Sequence, residues 1–282
     1  VFDAGENSTN HGETLFRLPV GSPHKSPLTD ASFSPAANDL KLATIDHDAT
    51  MVIWEWTPGA PGPLMMKWVA PRVEVENADW TSGLDFGNAT SWSHDGKLIA
   101  ALQEGVISLW NSENNAAERI EVPLPEGIQC RFNQLQFSKE AGVLIAGGMS
   151  WSETTDVKSS FAAVWDVTTK SPRLIATIDK SDLMHTIESK SQRRSGITAI
   201  AIDDQNDEIV TGGVDGRLIR WQMTPETEGS VPSLVRIRDV LIENGTKNAH
   251  SSMITAIDVS SAGQLLTADE KGNVFLWPMP VK

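Results

Sequence analysis

A chain of 282 residues with 40% apolar and 21% charged residues has an ordinary globular composition, which excludes a disordered or fibrous protein and allows one large domain or two small ones. The 37 acidic and 23 basic residues give a net charge of −14, which argues against wrapping nucleic acid or coating an anionic membrane. A single cysteine, Cys130, excludes an internal disulfide, and no Cys/His cluster suggests zinc.

The chain begins with Val1 and not Met, as a processed product or a fragment would. VFDAGENSTN lacks the basic-then-apolar pattern of a signal peptide, and no apolar run reaches the ~18 residues that a membrane helix needs. With the lone cysteine, this points to a cytoplasmic chain without membrane insertion.

Val1-Phe2-Asp3 reads as the end of a strand, and TLFRLPV (14–20) reads as the strand after it. Strands then recur in sets. The first set is LTDASF (28–33), KLATID (41–46), TMVIWEW (50–56) and LMMKWVA (64–70), with the Pro/Gly turn TPGAPGP (57–63) before its last member. After the long excursion APRVEVENADWTSGLDFG (70–87) come GNATSW (87–92), KLIAALQ (97–103) and GVISLWN (105–111); NAAERIEV (115–122) is the one stretch that hints at a helix. FNQLQF (132–137), VLIAGGM (143–149), SFAAVWD (160–166) and RLIATID (173–179) follow, with SWSETTDVKS (150–159) expected as a loop between the second and third. A further excursion, DKSDLMHTIESKSQRRSG (179–196), leads to GITAIAI (196–202), EIVTGGV (208–214), RLIRWQM (217–223) and LVRIRDV (234–240). IENGTKNAH (242–250) opens the last set, MITAIDV (253–259), QLLTADE (264–270) and NVFLWPM (273–279), which has no fourth strand. Ser-Pro at 34–35, His-Asp-Gly at 94–96 and Ser-Ala-Gly at 261–263 supply turns.

Trp54, Trp110, Trp165, Trp221 and Trp277 end the third strand of each set, spaced by 56, 55, 56 and 56 residues. Four antiparallel strands repeated at a fixed period, each set too small to bury its own face, describe the blades of a β-propeller. The expected fold is all-β, a single propeller with five repeats visible, in units 1–20 (partial), 21–70, 71–124, 125–179, 180–240 and 241–282 (partial). Either the propeller closes on five blades, with TLFRLPV completing the last, or it is part of a larger, seven-bladed one; the reading favours the second.

The units resemble the WD-repeat (WD40) family. That family places a His before the first strand, then a small hydroxyl residue, an Asp and a Trp. Unit one matches with His24, Thr44, Asp48 and Trp54; unit four with Thr211, Asp215 and Trp221; unit five with His250, Thr267 and Trp277, with Lys271 at the Asp position. The Trp-Asp pair occurs once, at Trp165-Asp166, and unit two keeps little beyond Trp110. The resemblance implies that these residues form a hydrogen-bonded network pinning the loops of each blade, not a catalytic triad.

It also implies a non-catalytic scaffold that binds other proteins or peptides and needs no cofactor. Binding is expected on the rim where the long loops gather, with Trp80, Trp151 and the basic cluster Lys190, Arg193 and Arg194 as candidate contacts. The competing expectations are a ligand-binding or enzymatic propeller using Asp30, Asn88, Asn133 and Thr198 at the central channel, or the accessory propeller of a multidomain enzyme. The six His residues are dispersed without HExxH, so no metal site is expected.

Overall fold

The computed structural model describes residues 22–35, 40–57, 64–70, 89–103, 106–112, 119–124, 128–138, 142–152, 155–178, 186–188, 193–204, 208–223, 234–239, 249–260 and 264–278. No helix occurs among the described residues. The first sheet is β1 (Leu28–Phe33), β2 (Lys41–Asp46), β3 (Met51–Trp56) and β4 (Leu64–Ala70). The second is β5 (Ala89–Trp92), β6 (Leu98–Gln103), β7 (Val106–Asn111) and β8 (Arg119–Glu121). The third is β9 (Gln129–Phe137), β10 (Val143–Ser152), β11 (Thr155–Asp166) and β12 (Arg173–Ile178). A hairpin, β13 (Thr186–Glu188) and β14 (Arg193–Ser195), precedes the fourth sheet: β15 (Ile197–Asp203), β16 (Glu208–Gly213), β17 (Leu218–Met223) and β18 (Leu234–Asp239). The fifth is three-stranded: β19 (Ile254–Val259), β20 (Gln264–Asp269) and β21 (Val274–Pro278). Within every sheet the strands lie side by side in chain order and pair antiparallel, so each repeat is a local meander.

The core is a series of layers between consecutive sheets. Ala43, Ile45, Met51 and Ile53 of the first sheet pack against Trp92, Ile99, Ala101 and Trp110 of the second. Leu102, Ile107 and Leu109 of the second meet Phe132, Phe137, Phe161 and Trp165 of the third. Ile145, Val164 and Ile178 meet Ile197, Ile200 and Trp221, and Ala199, Val210 and Leu218 meet Ile254 and Leu265. A sheet with one apolar face could not satisfy this stacking. The central strands accordingly read as continuous apolar runs, and β2 and β16 are buried at every position. The first strands β1, β5, β9, β15 and β19 touch in that order, as the inner strands of a propeller do.

The first strands share a second device. In β1, β15 and β19 the register shifts at the second residue, and in the longer β9 it shifts at the fifth, Asn133, a bulge that recurs through the repeats. The polar side chains there reach the next sheet: Asn133 Nδ2 donates to the carbonyl of Ile197 at 2.8 Å, and Thr198 Oγ1 to that of Ile254 at 2.6 Å. Asp30 makes the equivalent link from the first sheet by accepting the Thr90 amide at 2.8 Å.

Three expectations are corrected. The stretch 115–122 contributes no helix among its described residues; Arg119–Glu121 is β8, because β7 presents an open edge and Leu109 pairs with Ile120. The expected loop 150–159 is mostly strand, since β10 and β11 run on as a ribbon in which Ser150 faces Ser159 and Trp151 faces Lys158. Arg193 and Arg194 lie on β14, paired with Glu188 and Ile187, rather than in a loop. Expectations for Val1–Asp3, residues 14–20, most of 57–63 and the excursion 71–87 lie outside the described residues.

Among the described residues, the layering stops at the fifth sheet. Leu266 pairs with Leu276 and Ala268 with Val274, as Ala43 pairs with Ile53 and Ile45 with Met51 in the first sheet. Those four positions of the first sheet are fully buried by the second, whereas Leu266, Val274 and Leu276 are 44%, 61% and 60% exposed.

Candidate functional site

Two polar networks of identical design lie in the first and fifth sheets. In the first sheet His24 lies between Thr44 and Asp46: Nε2 is 2.7 Å from Thr44 Oγ1, and Nδ1 is 3.0 Å from Asp46 Oδ2. Trp54 donates its indole N–H to the same Thr44 oxygen at 2.8 Å. In the fifth sheet His250 stands 2.7 Å from Thr267 Oγ1 and 3.1 Å from Asp269 Oδ2, and Trp277 donates to Thr267 at 2.8 Å. Both patterns close with the imidazole proton on Nδ1, so that the hydroxyl accepts from indole and donates to Nε2.

The aspartate in each network is therefore Asp46 and Asp269, eight residues before the Trp, and not the position six before it. Asp48 is exposed, and its backbone amide donates to the Ser26 hydroxyl oxygen at 3.0 Å. Lys271 donates its amide to Asp269 at 3.0 Å, so the fifth unit lacks no acid. Burial works against ionising Asp269, but donors from Asn273, His250 and Ser252 outweigh it and hold the carboxyl well below the ordinary carboxylate range. His250 stacks edge-on to Phe275 at 4.9 Å between ring centres, which walls off one side of the network.

The other units keep parts of this design. Trp221 donates to Thr211 at 2.8 Å, and Asp215 accepts the Arg217 amide at 3.1 Å to close a turn. Trp165 donates instead to the Pro123 carbonyl at 2.7 Å, because Ala146 occupies the hydroxyl position beside it. Asp166 accepts the amide and hydroxyl of Thr168, which hold its carboxyl below the usual range and cap the β11–β12 turn. Trp110 is buried against the first sheet.

Of the candidate contacts, Trp80 and Lys190 lie outside the described residues. Trp151 sits near the tip of the β10–β11 ribbon, half-buried, with its indole N–H bonded to Gln129 of β9. Strand β14, which carries Arg193 and Arg194, packs beside β11, so the structure brings these backbones into one region next to the ribbon. The channel candidates have other partners: Asp30, Asn133 and Thr198 bond the next sheet, and Asn88 lies outside the described residues. Burial raises the Asp30 carboxyl above its ordinary value, with the Thr90 and Ala31 amides pulling the other way.

No group of His, Cys, Asp and Glu able to hold a metal is present among the described residues. Cys130 is buried, which pushes its thiol up to about 11 and keeps it protonated and unreactive. No helix among the described residues is long and apolar enough to cross a membrane. No curated protein matches the chain. The family model of the WD domain, G-beta repeat, matches residues 243–278, the stretch that contains His250, Thr267, Asp269 and Trp277. Residues 243–278 thus match the WD repeat, in an all-β frame of antiparallel sheets consistent with the WD-repeat β-propeller.

Proposed function

We propose that the chain is a non-catalytic scaffold that binds peptides or protein domains on the rim bearing the β10–β11 ribbon. A protein-interaction role is what a WD repeat suggests at the coarse level. The observation that carries the finer reading is the ribbon itself. Strand β10 has 10 residues against 6 in β16, and four extra residues at about 3.3 Å each project roughly 13 Å. Gln129–Arg131 of β9 extend alongside as a third strand, which stiffens the projection. The Gln129 bond fixes the orientation of the Trp151 ring and leaves its apolar surface for a partner, the arrangement expected of a rigid aromatic anchor. Asp30, Asn133 and Thr198 at the inner ends of the first strands are engaged in bonds between sheets, which favours a scaffold over channel chemistry.

The test selects a random peptide display library on the folded chain. A variant carrying Trp151→Ala, Arg193→Glu and Arg194→Glu should lose binding of the enriched peptides while keeping the wild-type circular dichroism and melting temperature. Full binding by a well-folded triple variant overturns the rim assignment.

A further inference from the structure

We propose a second binding site, for a short peptide that pairs an apolar side chain with a carboxylate, in a groove between the second and third sheets. It opens at the end of the strands opposite the β10–β11 turn, because it is built from the β5–β6, β9–β10 and β11–β12 turns. The groove encloses about 590 Å³, within the range of ligand sites. Its floor is apolar: Leu109, Phe137 and Val167 are buried there, with Leu98 half-buried at the side. The rim is polar and exposed, with His94, Lys97, Thr169 and Lys170 around it.

Both walls are held in shape before any ligand arrives. On the second sheet, Ser93 Oγ donates to Asp95 at 2.7 Å and accepts the Leu98 amide at 2.9 Å, and Ser112 Oγ donates to the Gly96 carbonyl at 2.7 Å. On the third, Asp166 caps Thr168, Thr169 Oγ1 donates to the Ser171 carbonyl at 2.8 Å, and the Val167 amide donates to Gly142 at 2.9 Å. A side chain at Gly142 would meet Thr168 Cγ2 at 2.5 Å, so the turn closes only over a glycine. Walls fixed in this way lower the ordering cost of binding.

Charge selects the ligand. The rim acid, Asp95, already takes the Ser93 hydroxyl, the Lys97 amide and the Lys97 ammonium, which lies 3.3 Å away. Lys170 and His94 have no hydrogen-bond or ion-pair partner among the described residues. In a chain of net charge −14, the groove therefore offers an unpaired ammonium, that of Lys170, above an apolar floor. An aliphatic or aromatic side chain fits the floor, and a carboxylate next to it meets Lys170.

The peptides enriched from the display library on the full chain test this reading independently of the rim. A class that pairs an apolar residue with Asp or Glu should bind wild type and the Trp151→Ala variant alike. That class should bind a Lys97→Glu, Lys170→Glu double variant about tenfold more weakly, weaken in high salt, and weaken again when its acid is replaced by the amide. Both lysines are exposed, so the double variant should keep the wild-type melting curve. The proposal is overturned if no enriched class depends on Lys97 and Lys170, or if the dependent class carries no acid.

Discussion

His24 Nδ1 lies 3.0 Å from the carboxylate of Asp46, two residues ahead of Asp48, the aspartate marked by spacing. Asp46 is fully buried and Asp48 is exposed, so only the first can leave an unmet charge or donor when it is replaced. Asp46→Ala strands the His24 ring N–H and the amide of Thr50, which Asp46 Oδ1 accepts at 2.9 Å. The expected cost is about 1–3 kcal/mol in urea unfolding, against about 0.5 kcal/mol or less for Asp48→Ala. Equal costs at the two positions would show that the network does not stabilise the blade.

The repeat was legible because its markers are large and periodic. Trp54, Trp165 and Trp221 are among the largest fully buried side chains, and their 55- and 56-residue spacing survives changes in loop length. The choice between Asp46 and Asp48 was less legible, because it depends on how the β2–β3 turn coils. That turn puts Ala49 at φ 61° and brings the Asp46 side chain back onto Thr50. The ribbon was hidden for a different reason. SWSETTDVKS has only Trp151 and Val157 as apolar residues, too few to give an alternation to read. The groove was hidden too, since its walls come from turns far apart in the chain that meet only when the second and third sheets stack.

Acid should unfasten the fifth sheet. The Asp269 carboxyl is held well below its ordinary value in the folded chain, so in the acid range the unfolded state binds the proton first. Asp269 therefore contributes stability that is present above the ordinary carboxylate pKa and is lost as pH falls through it toward the folded value. The urea midpoint of the wild type should drop on acidification below about pH 4 more steeply than that of Asp269→Asn. Parallel pH profiles for the two proteins would contradict this linkage.

Arg220 is 3% exposed between Asp203 and Glu208, bonded to Glu208 and 3.7 Å from Asp203 Oδ2. Removing the cation alone leaves two buried acids facing each other, so Arg220→Ala should cost about 3–5 kcal/mol. Replacing all three by apolar residues of similar volume should recover most of that loss, because the desolvation penalty disappears with the charges. Chemical denaturation of the single and triple variants checks both halves of the prediction.

The face of the fifth sheet that no described residue covers should make the chain self-associate. Leu266, Val274 and Leu276 form a continuous apolar strip across β20 and β21, at positions that the first sheet buries completely. Leu276→Lys with Val274→Thr should lower the concentration-dependent mass seen by light scattering. The same pair should change thermal stability little, since both residues are more than half exposed.

Gly147 and Gly212 sit where isoleucine side chains of the next sheet press against the strand. A Cβ on Gly147 would lie 2.5 Å from Ile200 Cδ1, and one on Gly212 would lie 2.8 Å from Ile254 Cγ2 and 2.9 Å from Ile257 Cδ1. These contacts are with side chains of the next sheet, so an added methyl forces neighbouring blades apart instead of straining its own strand. Gly212→Ala should cost about 1–3 kcal/mol by overpacking. Ile257→Val removes one of the two atoms that block the new methyl, Cδ1, and leaves Ile254 Cγ2, at about 0.5–1.5 kcal/mol of its own. If the clash is the cause, the double variant is less destabilised than the two single costs combined, and a double-mutant cycle in urea reads the difference as a favourable coupling. Simple additivity would instead place the cost on the contact that the double variant keeps, Ile254 Cγ2, or on the backbone of β16, where Gly212 pairs with both Ala199 and Leu218.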